Sequence, residues 1–353
     1  MAEVLLYGAN GYTAGLIIDL AGSYGVNLIL AGRSAEKIKP LAERYGLPYR
    51  IADLQDSGAL DAILQDVPVV LHCAGPFIRT ALPMQQACLR TGTHYLDITG
   101  EIPVFEQGVA LHQQATDKNI MLMSGVGFDV VPTDCLALYL KQRLPDATHL
   151  QLAINNQDGE VSHGTASTVL ENLGVGGMVR KDGKLVTVPV AHKTLHVPFE
   201  AGKMLMCMTI PWGDLSTAYY TTRIPNIETY MATPPAMIRA AKLSNYLSWL
   251  LGSPWFKRFA QRRIDKSLTG PNEQVRQKAR SLVWGKAWNS QGVSVQARLE
   301  GPEGYTLTAI AALRITRNVL DGHWKPGYQT PASMYGPDLI LEVPNTTRED
   351  IRD

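Results

Sequence analysis

Gly8 and Gly11 open the part of this sequence where residue type and spacing could do chemistry. The apolar run Val4-Leu5-Leu6-Tyr7 stops at Gly8, and Asn10, Gly11, Tyr12 and Thr13 lead into apolar residues at helical spacing, Leu16, Ile17 and Leu20. A strand that turns this tightly into a helix gathers backbone N–H groups at the positive end of the helix dipole, where a pyrophosphate can lie close. The spacing Gly8-x-x-Gly11-x-x-Ala14 departs from the commoner G-x-G-x-x-G. Taken alone, the turn also reads as an ordinary strand-to-helix corner.

A second strand, Asn27 to Ala31, ends at Gly32-Arg33-Ser34. The residue at this strand end meets the adenosine ribose in a dinucleotide fold: an acid takes the 2′-hydroxyl, an arginine the 2′-phosphate. Arg33, with Ser34 beside it and Lys37 a helical turn on, therefore favours NADP over NAD. Asp53, closing a third strand, is placed to face the adenine side or simply to cap its own loop. Cys73-Ala74-Gly75-Pro76-Phe77 follows the buried strand Val69 to Leu71, at the strand end where the nicotinamide half would rest.

A reductase of this kind needs a proton donor besides the hydride carrier. None of the tyrosines has a lysine four residues on, which argues against the Tyr-x-x-x-Lys pair of short-chain dehydrogenases. The remaining candidates are Tyr95, Asp97, Glu101, Asp129 and His163. Asp97 and Asp129 also fit turn-capping roles beside strand ends, and His163 also fits a loop histidine.

These residues need elements to hold them. Helices are expected at about 35–45, 57–65, 82–90 and 104–115, with strands at 48–53, 69–71, 95–98 and 120–123. A further helix runs from Pro132 to about Gln142. Strands alternating with helices make a doubly wound sheet. Beta-rich runs then cluster at 149–154, 184–191, 204–210, 218–223, 293–300 and 305–313, the last two joined by a hairpin at Gly301-Pro302-Glu303-Gly304; clustering implies an antiparallel or mixed sheet.

With 353 residues, 45% hydrophobic and 18% charged, the chain has the composition of a globular protein of two domains, and its net charge of +1 argues against nucleic-acid binding. Four scattered cysteines form no C-x-x-C pair, so neither a metal site nor a disulfide framework is indicated and a reducing cytoplasm is expected. The first strand starts close to Met1, leaving no room for a signal peptide, and no apolar run has the length of a membrane span.

Gly8-Ala9-Asn10-Gly11-Tyr12-Thr13, Ala31-Gly32-Arg33-Ser34, Ala74-Gly75-Pro76-Phe77, Tyr95-Leu96-Asp97-Ile98-Thr99-Gly100-Glu101 and Gly127-Phe128-Asp129-Val130-Val131-Pro132-Thr133-Asp134 together resemble the saccharopine dehydrogenase-like oxidoreductases, a group that includes the trans-acting enoyl reductases. The resemblance covers about the first 170 residues well and the rest more loosely. It implies an α/β fold: a Rossmann-type doubly wound parallel sheet lining an NADP site over 1–133, and a second α+β domain on a mixed sheet over 134–315. The segment 316–353 would return to the first domain, and the reaction would lie at the cleft between the two. Ser162-His163-Gly164-Thr165 resembles the family's Ser-Gly-Gly-Thr turn with a histidine in place of a glycine, and Gly327-Tyr328-Gln329-Thr330-Pro331-Ala332-Ser333 resembles its closing segment. The expected activity is NADPH-dependent reduction of an activated C=C in a small apolar molecule. Ketone or imine reduction, or a non-catalytic NADP-binding sensor or membrane-surface protein, are the alternatives.

The stretch from Ala236 to Ile264 joins Met237, Leu243, Tyr246, Trp249, Trp255 and Phe259 to the basic residues Lys257, Arg258, Arg262 and Arg263, with a break at Gly252-Ser253-Pro254 between two helices. Such a stretch suits internal packing or a homodimer contact, a lid over an apolar substrate, or a helix lying on a membrane surface.

Overall fold

The computed structural model describes residues 3–160, 162, 164, 166–167, 170, 174, 176–247, 253–267 and 270–352. The chain forms two compact units: residues Met1–Val131 with Tyr305–Met334, and Pro132–Gly304 with Tyr335–Asp353.

The first unit is built on a parallel sheet of β1 (Glu3–Tyr7), β2 (Asn27–Gly32), β3 (Tyr49–Ile51), β4 (Val69–His72), β5 (His94–Asp97), β6 (Met121–Met123) and β15 (Gly327–Tyr328). Their order across the sheet is β15-β6-β5-β4-β1-β2-β3. Val4 to Leu6 and Val69 to Leu71 are wholly buried, which is why these central strands read as unbroken apolar runs. A single Leu6→Ala change there would cost roughly 2–5 kcal/mol in lost burial and cavity. After β3 the chain crosses back to β4 on the other side of β1. The carboxyl ends of β1 and β4 thus flank the point where strand order reverses, the usual ligand crevice of an open α/β sheet. This is the Rossmann-type arrangement expected from the sequence.

The helix Phe77–Thr91 begins five residues before the expected start, with Pro76 as its N-cap, and the expected 104–115 helix is two, Ile102–Ala110 and His112–Asp117. A larger departure is the stretch 305–313, expected as a strand behind a hairpin: the strand Ser294–Pro302 ends just before it and a helix spans Gly304–Leu320. Leu307, Ala309, Ala312, Leu313, Ile315 and Thr316 are all completely buried. A helix covered on so many sides loses the polar face that marks helical period, and its β-branched residues then resemble a buried strand.

The second unit carries a mixed sheet ordered β10 (Thr194–Glu200), β11 (Lys203–Thr209), β12 (Asn226–Ala232), β7 (His149–Gln157), β13 (Arg280–Trp288), β14 (Ser294–Pro302) and β16 (Thr347–Ile351), with β8 (Gly177–Lys181) and β9 (Lys184–Val188) as a side hairpin. One face packs on the helix Val131–Arg143, so closely that a Cβ on Gly285 would come 2.7 Å from Leu140 Cδ1. A second cluster comprises Ala153, Val197, Phe199, Cys207, Tyr230, Leu282 and Trp284. The expected strand at 218–223 is the end of the helix Asp214–Thr222. Arg180 donates through Nε to the Leu215 carbonyl and lays its guanidinium 4.2 Å from the Tyr219 ring centroid, fixing that helix against β8. Local β-propensity is overridden by this packing.

Candidate dinucleotide and active site

The turn after β1 is held by its own backbone: Gly8 and Ala9 N–H donate to the Ala31 carbonyl at 2.9 and 3.1 Å, and Gly11 N–H donates to the Gly8 carbonyl at 2.9 Å. Gly8 has φ +83°, and a Cβ there would lie 2.7 Å from the Ala74 nitrogen, so only glycine lets the β1 and β4 turns approach. Gly11 is the N-cap of the helix Tyr12–Ala21, which has no side-chain cap and no acidic residue in its first turn. That end presents a positive dipole with no anion of its own, the chemistry a pyrophosphate requires. Tyr12 packs edge-on against Tyr305 at 5.0 Å between ring centroids.

Arg33 stands exposed just past β2, followed by Ser34, the N-cap of the helix Ala35–Tyr45, whose side chain makes no capping bond. Asn10 lies alongside: its Oδ1 would be 3.8 Å from a Cβ on Gly32. The Tyr7 hydroxyl donates to the Ala52 carbonyl at 2.8 Å. Burial pushes that phenol up to about 12, with the Asp53 charge adding to the rise and Arg33 opposing it, so both charges act at the same end of the sheet. Asp53 accepts from Gln55 N–H at 2.9 Å, a local turn bond.

At β4, Cys73 N–H donates to the Tyr7 carbonyl at 2.7 Å, and burial drives the Cys73 thiol up, away from reactivity. The Thr80 hydroxyl donates to the Ala74 carbonyl at 2.6 Å, clamping the loop Ala74-Gly75-Pro76 into Phe77. Both Glu101 carboxylate oxygens accept from the first turn of the helix Phe77–Thr91, from Phe77 N–H and Ile78 N–H at 2.8 Å each.

The proton-donor candidates separate by what surrounds them. Asp97 is completely buried and accepts four bonds: from Tyr95 hydroxyl at 2.7 Å, Ser124 hydroxyl at 2.9 Å, Thr99 N–H at 3.0 Å and Gly125 N–H at 2.9 Å. Burial outweighs those bonds and raises its carboxyl to about 6, but its lone pairs are engaged in joining the β5 turn to the β6 turn. Tyr95, equally buried, spends its hydroxyl on Asp97, and burial drives its phenol far up. Asp129, partly accessible, lies against Gly100, and its carboxyl is raised from 3.8 to about 7, by burial first and by the Glu101 charge second. His163 lies outside the described residues.

The structure thus brings Gly8, Asn10, Gly11, Tyr12, Thr13, Arg33, Ser34, Asp53 and the loop 73–77 to the carboxyl ends of β1 to β4, and Asp97 and Asp129 to those of β5 and β6. Thr308 joins this edge, its hydroxyl accepting from Phe128 N–H at 3.0 Å and its methyl lying where a Gly127 Cβ would fall. Thr80, Tyr305 and Thr308 were not singled out by sequence. The latter two sat in a segment read as a strand, whereas Thr80 carries no type or spacing signal of its own.

Residues 4–123 match the family model described as the saccharopine dehydrogenase NADP binding domain. A trans-acting enoyl reductase of Mycobacterium ulcerans is 30% identical over 162 residues, 44% of this chain and 39% of that protein. One of Mycobacterium leprae is 35% identical over 150 residues, 40% of this chain and 36% of that protein. A putative trans-acting enoyl reductase of Mycobacterium tuberculosis is 32% identical over 184 residues, 48% and 44% of the two chains. The chain spans less than half the length of these curated relatives in each alignment. Apo saccharopine dehydrogenase (L-Glu forming) from Saccharomyces cerevisiae shares the fold, with a TM-score of 0.68 over 100% of both chains at 16% identity. Residues 4–123 of the first unit thus match a saccharopine dehydrogenase NADP binding domain, and the whole chain shares its fold with saccharopine dehydrogenase.

Proposed function

We propose that this protein reduces an activated C=C bond of a small apolar molecule, an enoyl thioester or similar compound, with NADPH. The observation that carries the reading is Asp129: a carboxyl in the turn that follows β6, seated against Gly100 beside the β5 end and raised to about 7 by burial and by the Glu101 charge. An acid of that affinity is matched to proton delivery at neutral pH. NADPH fits the residues present, since the Gly8 turn leaves no room for a Cβ, the Tyr12–Ala21 helix has no acidic residue in its first turn, and Arg33 stands exposed at the strand end where a 2′-phosphate would be met.

When bound, the nicotinamide would supply the hydride that adds to the β-carbon of the enoyl group. Asp129 then gives its proton to the α-carbon and is left as a carboxylate to be reprotonated from solvent. Glu101 keeps the Phe77–Thr91 helix end and the loop 74–77 in place by its two backbone bonds. Asp97 and Tyr95 position the β5 and β6 turns. The relatives named enoyl reductases align over part of the chain and support the choice of C=C over C=O or C=N.

The test is NADPH oxidation on a panel of enoyl, keto and imino compounds with wild-type protein and Asp129→Asn. Turnover of enoyl substrates that the substitution lowers by at least an order of magnitude fits an acid catalyst, for which losses of about 10²–10⁴ are typical. Turnover confined to ketones or imines would overturn the substrate assignment. NADPH binding without any turnover would leave a sensor.

A further inference from the structure

The helix Pro235–Ser244 in the second unit faces outward with the wrong side. Ile238 is its buried residue, and just beyond its end Asn245 is bonded to both backbone groups of Val190, accepting from Val190 N–H at 2.8 Å and donating to the Val190 carbonyl at 3.1 Å. Ala236, Ala240 and Leu243 follow the i, i+4, i+7 spacing of one helix face, and all three are exposed, Leu243 by 64%. Met237 beside them is 62% exposed, Tyr246 just past the helix 81%, and Trp255 in the helix Pro254–Ser267 66%. Isolated exposed apolar residues need no explanation, but Met237, Leu243 and Tyr246 fall on one helix and the turn that ends it, and Trp255 opens the next described helix, a density of exposed apolar side chains that calls for one.

Charge says what the surface meets. Between Glu228 and Asp265 the sequence contains no acidic residue, while Arg239, Lys242, Lys257, Arg258, Arg262 and Arg263 are all basic, in a chain whose net charge is only +1. Arg239, Lys242, Arg258, Arg262 and Arg263 are exposed. Apolar and aromatic side chains flanked by cations fit the anionic headgroup boundary of a bilayer, with the chains lying in the interface. Among the described residues no helix is long and apolar enough to cross a membrane. Docking against a second copy through a two-fold axis would set like charges face to face, which opposes it.

We infer that residues 235–246 and 253–263 dock the protein reversibly on anionic lipid surfaces, with Met237, Leu243, Tyr246 and Trp255 inserted at the headgroup level and the surrounding arginines and lysines drawn to lipid charge. The inference is independent of the reaction proposed above.

Flotation of the full chain with vesicles of phosphatidylcholine alone, and of phosphatidylcholine mixed with phosphatidylglycerol, tests it. Binding is expected only to the mixed vesicles and should weaken as salt is raised. Arg239→Glu and Arg262→Glu should each lower partitioning by roughly fivefold or more, the scale of one basic residue near a charged surface. The double variant Met237→Ser, Leu243→Ser should lose binding at low salt as well, whereas Val293→Ser, at an exposed apolar residue in the β13–β14 turn, should bind like wild type. Absence of binding to anionic vesicles overturns the inference. So does binding that survives the double serine variant. A solution dimer that the double serine variant dissociates, or binding to an acidic protein that vesicles do not compete, would assign the surface to a protein partner instead.

Discussion

A Cβ added to Gly100 would fall 2.5 Å from Asp129 Oδ2 and 2.9 Å from its Cγ, so the glycine after Thr99 leaves the space in which the Asp129 carboxyl sits. The next residue, Glu101, supplies the negative charge that helps keep the proton on that carboxyl. Burial raises that carboxyl most, and one short turn after β5 both leaves the room in which Asp129 sits and adds to its affinity for a proton.

Two measurements follow from this. Enoyl reduction by the wild type should fall as pH rises through about 7, because the folded carboxyl loses its proton there. Gly100→Ala, which forces the Asp129 side chain aside, should lower kcat by about tenfold, less than the roughly 10²–10⁴ that an acid catalyst contributes because the carboxyl is displaced and not removed, with NADPH affinity retained. A pH profile flat through neutrality, or a Gly100→Ala enzyme with unchanged kcat, would remove Asp129 from the reaction.

Arg33 offers a separate test of cofactor choice. Replacing it with Asp should weaken NADPH binding by at least ~1.5 kcal/mol, the lower range for a charge-assisted contact and somewhat more than tenfold in Kd, while NADH binding is spared. Isothermal titration with both cofactors reads the difference directly. Equal losses would mean that Arg33 does not meet the 2′-phosphate.

The placement of Arg33 just past β2, and of Gly8 and Gly11 in the turn after β1, was legible in the sequence because apolar runs stop beside them. The edge at β5 and β6 was less so. Asp97 closes β5 and Asp129 lies in the turn that follows β6; they are the same residue type, and among the described residues Asp97 accepts from four donors while Asp129 is seen with none. Sequence cannot rank such a pair, because the distinction lies in long-range contacts such as Ser124 and Gly125 on Asp97 and Glu101 beside Asp129. The helix Gly304–Leu320 was misread for a related reason: nearly every face of it is buried, so its sequence carries no amphipathic period. With it went Tyr305 and Thr308, which touch the site edge from a segment far away in sequence.

The two glycines of the first turn should not be equivalent. Gly8 combines φ +83° with a Cβ position 2.7 Å from backbone, so Gly8→Ala should destabilise the folded protein by roughly 1–3 kcal/mol or more, the cost of a strained backbone position with a clash added. Gly11 has φ −77°, and a Cβ there meets only the Gly8 carbonyl at 3.2 Å and the Cys73 carbonyl at 3.9 Å. Gly11→Val should therefore fold yet lose NADPH and NADH alike, by obstructing the pyrophosphate. Thermal unfolding and cofactor titration of both variants separate the roles, and a folded Gly11→Val protein that keeps its NADPH affinity would disprove the turn assignment.

His72 gives the last prediction. It closes β4 completely buried, its ring 5.5 Å from that of Tyr7, 5.3 Å from Phe77 and 6.2 Å from Tyr95, and neither ring nitrogen has a hydrogen-bond partner among the described residues. Burial lowers it from 6.5 to about 3. Between those values the unfolded chain takes up a proton that the folded protein refuses, so acid favours unfolding through this residue. The loss amounts to about 2 kcal/mol by about pH 5 and is absent above the unfolded value. His72→Phe fills much the same aromatic space without a titrating group. It should match or exceed wild-type stability at pH 8, since an unpaired buried polar ring is removed, and its advantage should grow by about 2 kcal/mol on going to pH 5. Urea unfolding of the two proteins at both pH values makes the comparison. An advantage that does not widen with acid would mean that His72 is already charged in the folded protein, or has a partner that lets it accept a proton where it sits.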